Sequence, residues 1–340
     1  MKIAYSVAGE GLGHAARMVC LAPRLAQEHE VELFCPATVR DYVLERLPGR
    51  KLRDVPHFSF IKKGDRVLFF ATLLTAVRRL PAFVREVFRL VELLKAEAFD
   101  AVISDFDPYL AWAGRLAGLR VVQINHPGVV MRNLSFNPLS WPAVLAAFLL
   151  EGPWNRRILC SFYGGDVGPL LRPELLSQPR RDSGSWVCHL KPEYHDVVIP
   201  ALEKAGLVPY ELYPRKGGDF DAALASARGV ISSAGHQIIS EALVLGKPIL
   251  VLPQSGQYEQ ILNARRLERS GRGWRATRKN LESRLRGFRF WAETLDKNSP
   301  YRDDTETAVA LLLVHLGEAP VRLKASSSSR SVAKALVRSS

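Results

Sequence analysis

Two stretches of the chain hold residue types and spacings that could do chemistry. The first, "GEGLGHAAR", runs from Gly9 to Arg17 directly after the apolar run "KIAYSVA". Gly9, Gly11 and Gly13 lack a Cβ, so they permit left-handed backbone and let a ligand come close. A helix starting near His14 would aim its first N–H groups, the positive end of its dipole, at whatever occupies the loop. His14 sits at this junction and not on an apolar helix face, which suits a group that takes or guides a proton. Arg17, one turn on, either faces an anionic group or is a solvated surface arginine. A dinucleotide loop would read G-x-G-x-x-G and be followed by an acid at the end of the second strand. Here the spacing is G-x-G-x-G and the second strand ends "LFCPA". The nicotinamide or flavin reading is therefore weak.

The second stretch is "ARGVISSAGHQIISEALVLGKPILVLPQSGQYEQILNA". A buried strand ends at "ISS", and Ala234, Gly235 and His236 turn the chain into a helix whose N-terminus can hold phosphate. Gln237, Ser240 and Glu241 share one face of that helix, while Ile238, Ile239, Ala242 and Leu243 point to a core. A carboxylate such as Glu241 can accept from two vicinal ribose hydroxyls; a solvated helix face is the alternative. After the strand "PILVLP", Gln257, Glu259, Gln260 and Asn263 open the next helix. These amides and carboxylates suit the hydroxyls of a sugar, and capping explains one or two of them.

Further polar groups stand at strand ends. "ISDFDP" carries Asp105 and Asp107, and "INHPG" carries His126. In a parallel sheet these ends share the ligand-binding edge, so all three would join His14. Asp105 could orient His14. Asp107 is an acceptor-side group or a cap before Pro108, and His126 is an acceptor-side group or an ordinary loop histidine. "DFD" also matches a D-x-D metal motif, which is short and common by chance, and we expect no required metal.

Positioning these residues requires a parallel, doubly wound sheet. Runs such as "KIAYSVA", "HEVELFCPA", "FDAVISDF" and "RVVQINHP" alternate with helical patterns, the rhythm of βαβ units. "GDVGPLLRPELLSQPRRDSGS" is the best interdomain linker, and a second alternating series follows it. The expected organisation is an α/β domain over residues 1–168, a second over 169–318 whose last helix could return to the first, and a Ser-rich basic tail over 319–340, expected to be disordered.

At 340 residues and 47% hydrophobic content, the chain can bury two cores. Its net charge of +13 favours anionic partners without choosing among them. Cys20, Cys35, Cys160 and Cys188 are scattered, as expected of reduced thiols in a cytoplasmic protein. The first residues read as a strand, so no signal peptide is expected. The apolar runs fall short of the about 20 residues that cross a bilayer. Residues 61–96 carry eight basic and three acidic residues. Lys62, Lys63, Arg66, Arg78, Arg79, Arg85 and Arg89 alternate there with large apolar groups. The segment either docks on anionic lipid or is an ordinary pair of helices packed on the sheet.

The stretch from Ala227 to Gly273 resembles the donor half of GT-B glycosyltransferases. It is most similar to glycosyltransferase family 28, the type that includes the lipid-II-forming GlcNAc transferase and the monogalactosyldiacylglycerol synthases. An S-x-G turn, a downstream Glu, "GKP", "VP" and "x-x-Q-x-x-N-A" recur there in this order. "GEGLGHAAR" resembles that family's Gly-rich loop ending in His, and "VGPLLRPEL" its linker. The resemblance implies two Rossmann-like domains facing across a cleft. It further implies transfer of a hexose or N-acetylhexosamine from a nucleotide-diphosphate sugar, first of all a UDP sugar, to a hydroxyl of a lipid-linked or cell-envelope acceptor, with inversion. Gly235 and His236 would hold the diphosphate, Glu241 the ribose, and Gln257, Glu259 and Gln260 the donor sugar. Asn263 would support their helix, and His14 would be the general base. No cofactor is implied, and the protein would work in the cytoplasm or peripherally on the inner face of the membrane. Two other readings stay open: a sugar-nucleotide epimerase or hydrolase on this fold, and a non-catalytic anionic-surface or nucleic-acid binder, which no RNA-binding signature supports.

Overall fold

The computed structural model describes residues 1–57, 61–63, 66–67, 69–133 and 141–317. The tail over 319–340 lies outside the described residues, as do the side chains of Lys62, Lys63 and Arg66. The chain divides into one unit of Met1–Leu170 with Asp304–Ser340, and a second of Leu171–Asp303.

The first unit is built on a six-stranded sheet in the order β3-β2-β1-β6-β7-β8, every pair parallel. Its strands are β1 (Lys2–Val7), β2 (Glu30–Cys35), β3 (Leu52–Asp54), β6 (Ala101–Asp105), β7 (Arg120–Asn125) and β8 (Arg156–Leu159). β4 (Lys62–Lys63) and β5 (Arg66–Val67) form a separate antiparallel pair. Strands buried on both faces read as continuous β-branched and apolar runs, as in "KIAYSV" and "RVVQIN". The helices are α1 (Gly13–Leu25), α2 (Ala37–Arg46), α3 (Phe69–Ala96), α4 (Pro108–Leu116), α5 (Val129–Arg132) and α6 (Trp141–Glu151). The last helix of the chain, α13 (Thr305–Leu316), belongs to this unit. It packs on α1, β7 and β8, and its Leu311 and Leu312 join Met18 and Leu21 in the core.

Where a pair of helices was one expectation for residues 61–96, there is one helix, α3, with Pro81 inside it. Val87, Leu90, Val91 and Leu94 in its second half are buried. Arg78, Arg79, Arg85 and Arg89 are exposed, and so are the apolar Leu74, Val77, Leu80, Val84 and Phe88.

The second unit has a five-stranded sheet in the order β10-β9-β11-β12-β13, again parallel throughout. Its strands are β9 (Trp186–His189), β10 (Tyr210–Tyr213), β11 (Gly229–Ser233), β12 (Ile249–Leu252) and β13 (Gly273–Arg275). The helices are α7 (Pro173–Ser177), α8 (His195–Ala205), α9 (Phe220–Ser226), α10 (His236–Val244), α11 (Tyr258–Arg269) and α12 (Leu281–Thr294). Trp186, Phe288 and Leu202 anchor the core. The Pro- and Gly-rich linker is not a solvated spacer: Leu170, Leu171, Arg172 and Leu175 are all buried.

Candidate functional site

In the first unit, β1 pairs with β6 so that Val7 lies opposite Asp105. The Gly-rich loop and Asp105 therefore leave the sheet side by side, and the Ala8 N–H donates to the Asp105 carbonyl at 3.0 Å. Gly9 is required by close approach, since a Cβ there would lie 2.5 Å from Thr38 Oγ1 and 2.6 Å from His57 Nδ1. Gly11 has φ +80°, in open space. α1 starts at Gly13, which puts His14 in its first turn.

His14 Nδ1 lies 2.7 Å from Asp105 Oδ1. Arg17 approaches both oxygens of the same carboxylate, Nε at 2.6 Å from Oδ2 and Nη2 at 2.8 Å from Oδ1. Arg17 Nη2 is also 2.9 Å from His14 Nδ1. All three side chains are buried. Burial by itself would raise Asp105, but Arg17 and then His14 more than offset it, and the carboxyl is held below its ordinary range. Phe106, the next residue, adopts φ +62°, an unusual conformation for a bulky side chain. Its ring stacks on His14 at 5.9 Å and 15°.

Arg17 is not a surface arginine; it faces an anionic group, the carboxylate of Asp105. Asp107 accepts from the N–H groups of Tyr109 and Leu110, both at 3.1 Å, and so caps α4. Burial pushes its carboxyl up to about 6. Asp107 also lines a small pocket of about 30 Å³ with Gly9, Glu10, His57, Phe106 and Tyr109. His126 is buried after β7, its Nδ1 donating to the Cys160 carbonyl at 2.9 Å.

In the second unit, Gly235 is the N-cap of α10 with extended backbone, and His236 opens the helix. His236 Nε2 meets Ser240 Oγ at 3.1 Å. Gln237 is half-buried, while Ser240 and Glu241 are fully buried; this helix face is not the solvated one that the alternative required. Glu241 Oε1 accepts from Arg172 Nε at 3.0 Å and from Gln237 Nε2 at 2.9 Å. Arg172 also pairs with Asp221 at 2.7 Å. Sequence reasoning did not single out Arg172, Asp221 or His189. His189 ends β9 with a proton affinity lowered by burial, while the charge of Glu241 works in the opposite direction.

At the next turn Gln257 is the N-cap of α11. Gln260 Oε1 accepts from the Gln254 N–H at 2.9 Å, and its Nε2 donates to Gln257 Oε1 at 2.6 Å. Glu259 stands beside them in the first turn. Asn263 is buried and donates from Nδ2 to the Ala234 carbonyl at 3.1 Å, tying α11 to the turn that starts α10.

Comparison with known proteins agrees with this architecture. The family described as Glycosyl transferase family 1 matches over residues 1–141 and 214–288. An uncharacterised glycosyltransferase of Methanosarcina mazei is 25% identical over 334 residues, covering 80% of this chain and 85% of its own. The UDP-N-acetylglucosamine--N-acetylmuramyl-(pentapeptide) pyrophosphoryl-undecaprenol N-acetylglucosamine transferase of Clostridioides difficile is 29% identical over 134 residues. That match covers 37% of this chain and spans about a third, 32%, of the relative. Among solved structures, MurG of Acinetobacter baumannii has a TM-score of 0.57 at 14% identity, over 92% of this chain and 99% of its own. The calicheamicin glycosyltransferase CalG4 has a TM-score of 0.58 at 18% identity, over 94% and 99%. Two parallel-sheet α/β domains, these likenesses and the family match over most of the chain lead to one conclusion: the chain is a glycosyltransferase of the GT-B fold and belongs to glycosyl transferase family 1.

Proposed function

We propose that the protein moves a hexose or N-acetylhexosamine from a UDP-linked donor to a hydroxyl of a lipid-linked or cell-envelope acceptor, with inversion. The observation that carries this reading is the start of α10. A Gly-capped helix end follows β11, and the carboxylate of Glu241 is held one and a half turns inside it by Arg172 and Gln237. First-turn N–H groups suit a diphosphate, and a fixed carboxylate suits ribose hydroxyls. Gln257, Glu259 and Gln260 supply groups for the donor sugar.

In the reaction, the acceptor oxygen attacks the anomeric carbon while the bond from that carbon to the diphosphate oxygen breaks. The acceptor proton goes to Nε2 of His14, whose Nδ1 is engaged by Asp105. Charge developing on the departing diphosphate is stabilised by the N-terminus of α10. One displacement inverts the anomeric centre. The reading needs neither cofactor nor metal: Asp105 is engaged by Arg17 and Asp107 by the cap of α4.

The Clostridioides difficile relative, named for a UDP sugar and an undecaprenol-linked acceptor, supports the donor base and the acceptor class. The acceptor class is also supported by α3, where Val77 is 61% and Phe88 56% exposed beside exposed arginines. Such a surface suits docking on the anionic inner face of a membrane, and no described helix is long and apolar enough to cross one. The test is thermal-shift binding against UDP, TDP, GDP and their sugars. Stabilisation by the UDP family that Glu241→Ala abolishes is the expected result. A folded protein that none of them stabilises would overturn the reading. Stabilisation with release of free UDP and no need of an acceptor would move it to a hydrolase.

A further inference from the structure

We infer that Arg17 is a positioning residue that decides which nitrogen of His14 carries the proton. The inference rests on the reading of His14 as the group that accepts the hydroxyl proton.

Asp105 is wholly buried, and a carboxyl in such a place ordinarily takes up a proton. Arg17 prevents this by a two-pronged pair, Nε at 2.6 Å from one oxygen and Nη2 at 2.8 Å from the other. Asp105 thereby stays ionised although burial opposes it. An ionised carboxylate can only accept a hydrogen bond. Two groups meet His14 Nδ1: Arg17 Nη2 at 2.9 Å, which can only donate and already donates to Asp105 Oδ1, and the anionic Asp105 Oδ1 at the shorter 2.7 Å. The carboxylate contact, which has no other way to be made, places the imidazole proton on Nδ1 and leaves the lone pair on Nε2. A protonated Asp105 would donate to Nδ1 instead. The imidazole proton would then sit on Nε2, and His14 could not accept a proton from a hydroxyl.

Two further titratable side chains at this cluster add no charge to it. Tyr5 and Cys160 face the same cluster, and burial raises both, so they stay neutral. The Phe106 ring stacked on the imidazole restrains its rotation. Lysine could not replace Arg17 here, because one ammonium cannot span both carboxylate oxygens in the fork geometry.

The test is the imidazole nitrogen-15 spectrum of the full chain without ligand, His14 being assigned by comparison with His14→Gln. The expected spectrum has a protonated Nδ1 and a bare Nε2, and in Arg17→Lys the form protonated at Nε2 becomes the major one. A wild-type spectrum with the proton on Nε2, or an Arg17→Lys spectrum identical to wild type, would overturn the inference. Should Arg17→Lys fail to fold, Arg17→Met, which fills the space without charge, takes its place: the form protonated at Nε2 is expected to be the major one, and a spectrum identical to wild type overturns the inference. With donor and acceptor in hand, kcat of Arg17→Lys should fall about 100-fold while the donor KM stays within about twofold. A wild-type spectrum of the expected form, in a protein that transfers no sugar, would remove the glycosyl-transfer role of His14 and leave the tautomer assignment standing.

Discussion

Arg172 Nε lies 3.0 Å from Glu241 Oε1, in a pair from which water is almost wholly excluded. The carboxylate proposed to hold ribose is therefore fixed before any ligand arrives. Glu241→Ala leaves Arg172 with Asp221 as its remaining carboxylate. Losing one partner of a buried pair costs about 3 kcal/mol or more, which Asp221 reduces. Urea unfolding should show a loss of about 2 kcal/mol, and nucleotide stabilisation should vanish. Glu241→Gln, which keeps the shape, should lose less stability and still bind nucleotide weakly.

His14→Ala removes the proton acceptor and leaves the second unit untouched. Its kcat should fall roughly 100-fold or more, with donor affinity measured by calorimetry near normal. An unchanged kcat would remove His14 from the mechanism.

Asp107 gives a pH dependence of definite sign. Its carboxyl is raised by burial from 3.8 to about 6 in the folded chain. The folded state then binds the proton more tightly than the unfolded one. The associated stability is fully present below about pH 4 and is lost as pH rises through 6. A rise of this size corresponds to roughly 3 kcal/mol. Asp107→Asn still caps α4 but has no charge to bury. Urea unfolding between pH 4 and 7 should show wild type losing more stability than Asp107→Asn, by up to about 3 kcal/mol.

The two loop glycines should respond differently. Gly9→Ala places a methyl against Thr38 and His57, and overpacking of this kind costs about 1–3 kcal/mol. Gly11→Ala meets no neighbouring atom but must hold φ +80°, a cost of about 1 kcal/mol. Thermal unfolding of the two variants checks the order, and Gly9→Ala should also disturb activity more.

Docking on anionic lipid is checked by vesicle co-sedimentation with phosphatidylglycerol. Phe88→Glu and Arg85→Glu each change an exposed α3 residue. Each should weaken binding about fivefold or more, given about 1 kcal/mol per basic residue near the surface. Equal binding by wild type and both variants would remove α3 from the contact.

Much of the fold was legible because both sheets are parallel and buried, so their strands stand out as apolar, β-branched runs between helical patterns. The short β13, "GWR", gave no such signal, and α3 runs through Pro81 as one helix where a pair was one expectation. At the site, glycines marked both turns, and Asp105 was expected near His14 from the shared strand edge. The burial of Arg17 was hidden because α1 is enclosed on nearly every side, which leaves no polar face to mark. Arg172 was hidden by its surroundings in sequence: Pro and Gly around it suggest a spacer, and only the fold brings it to Glu241. The hydrogen bond from Gln260 to Gln257 likewise depends on the turn at Gly256, whose φ is positive.

The return of α13 to the first unit sets an order for synthesis. Residues 171–303 are one continuous length of chain, so every strand of their sheet has been made before α13 is translated. The strands of the first sheet are made earlier still, but the helix that covers them comes last. Until Leu311 and Leu312 emerge, the apolar side of α1 and β7 that they cover stays open to water. On the ribosome the N-terminal half, first to be made, is thus the last to be sealed.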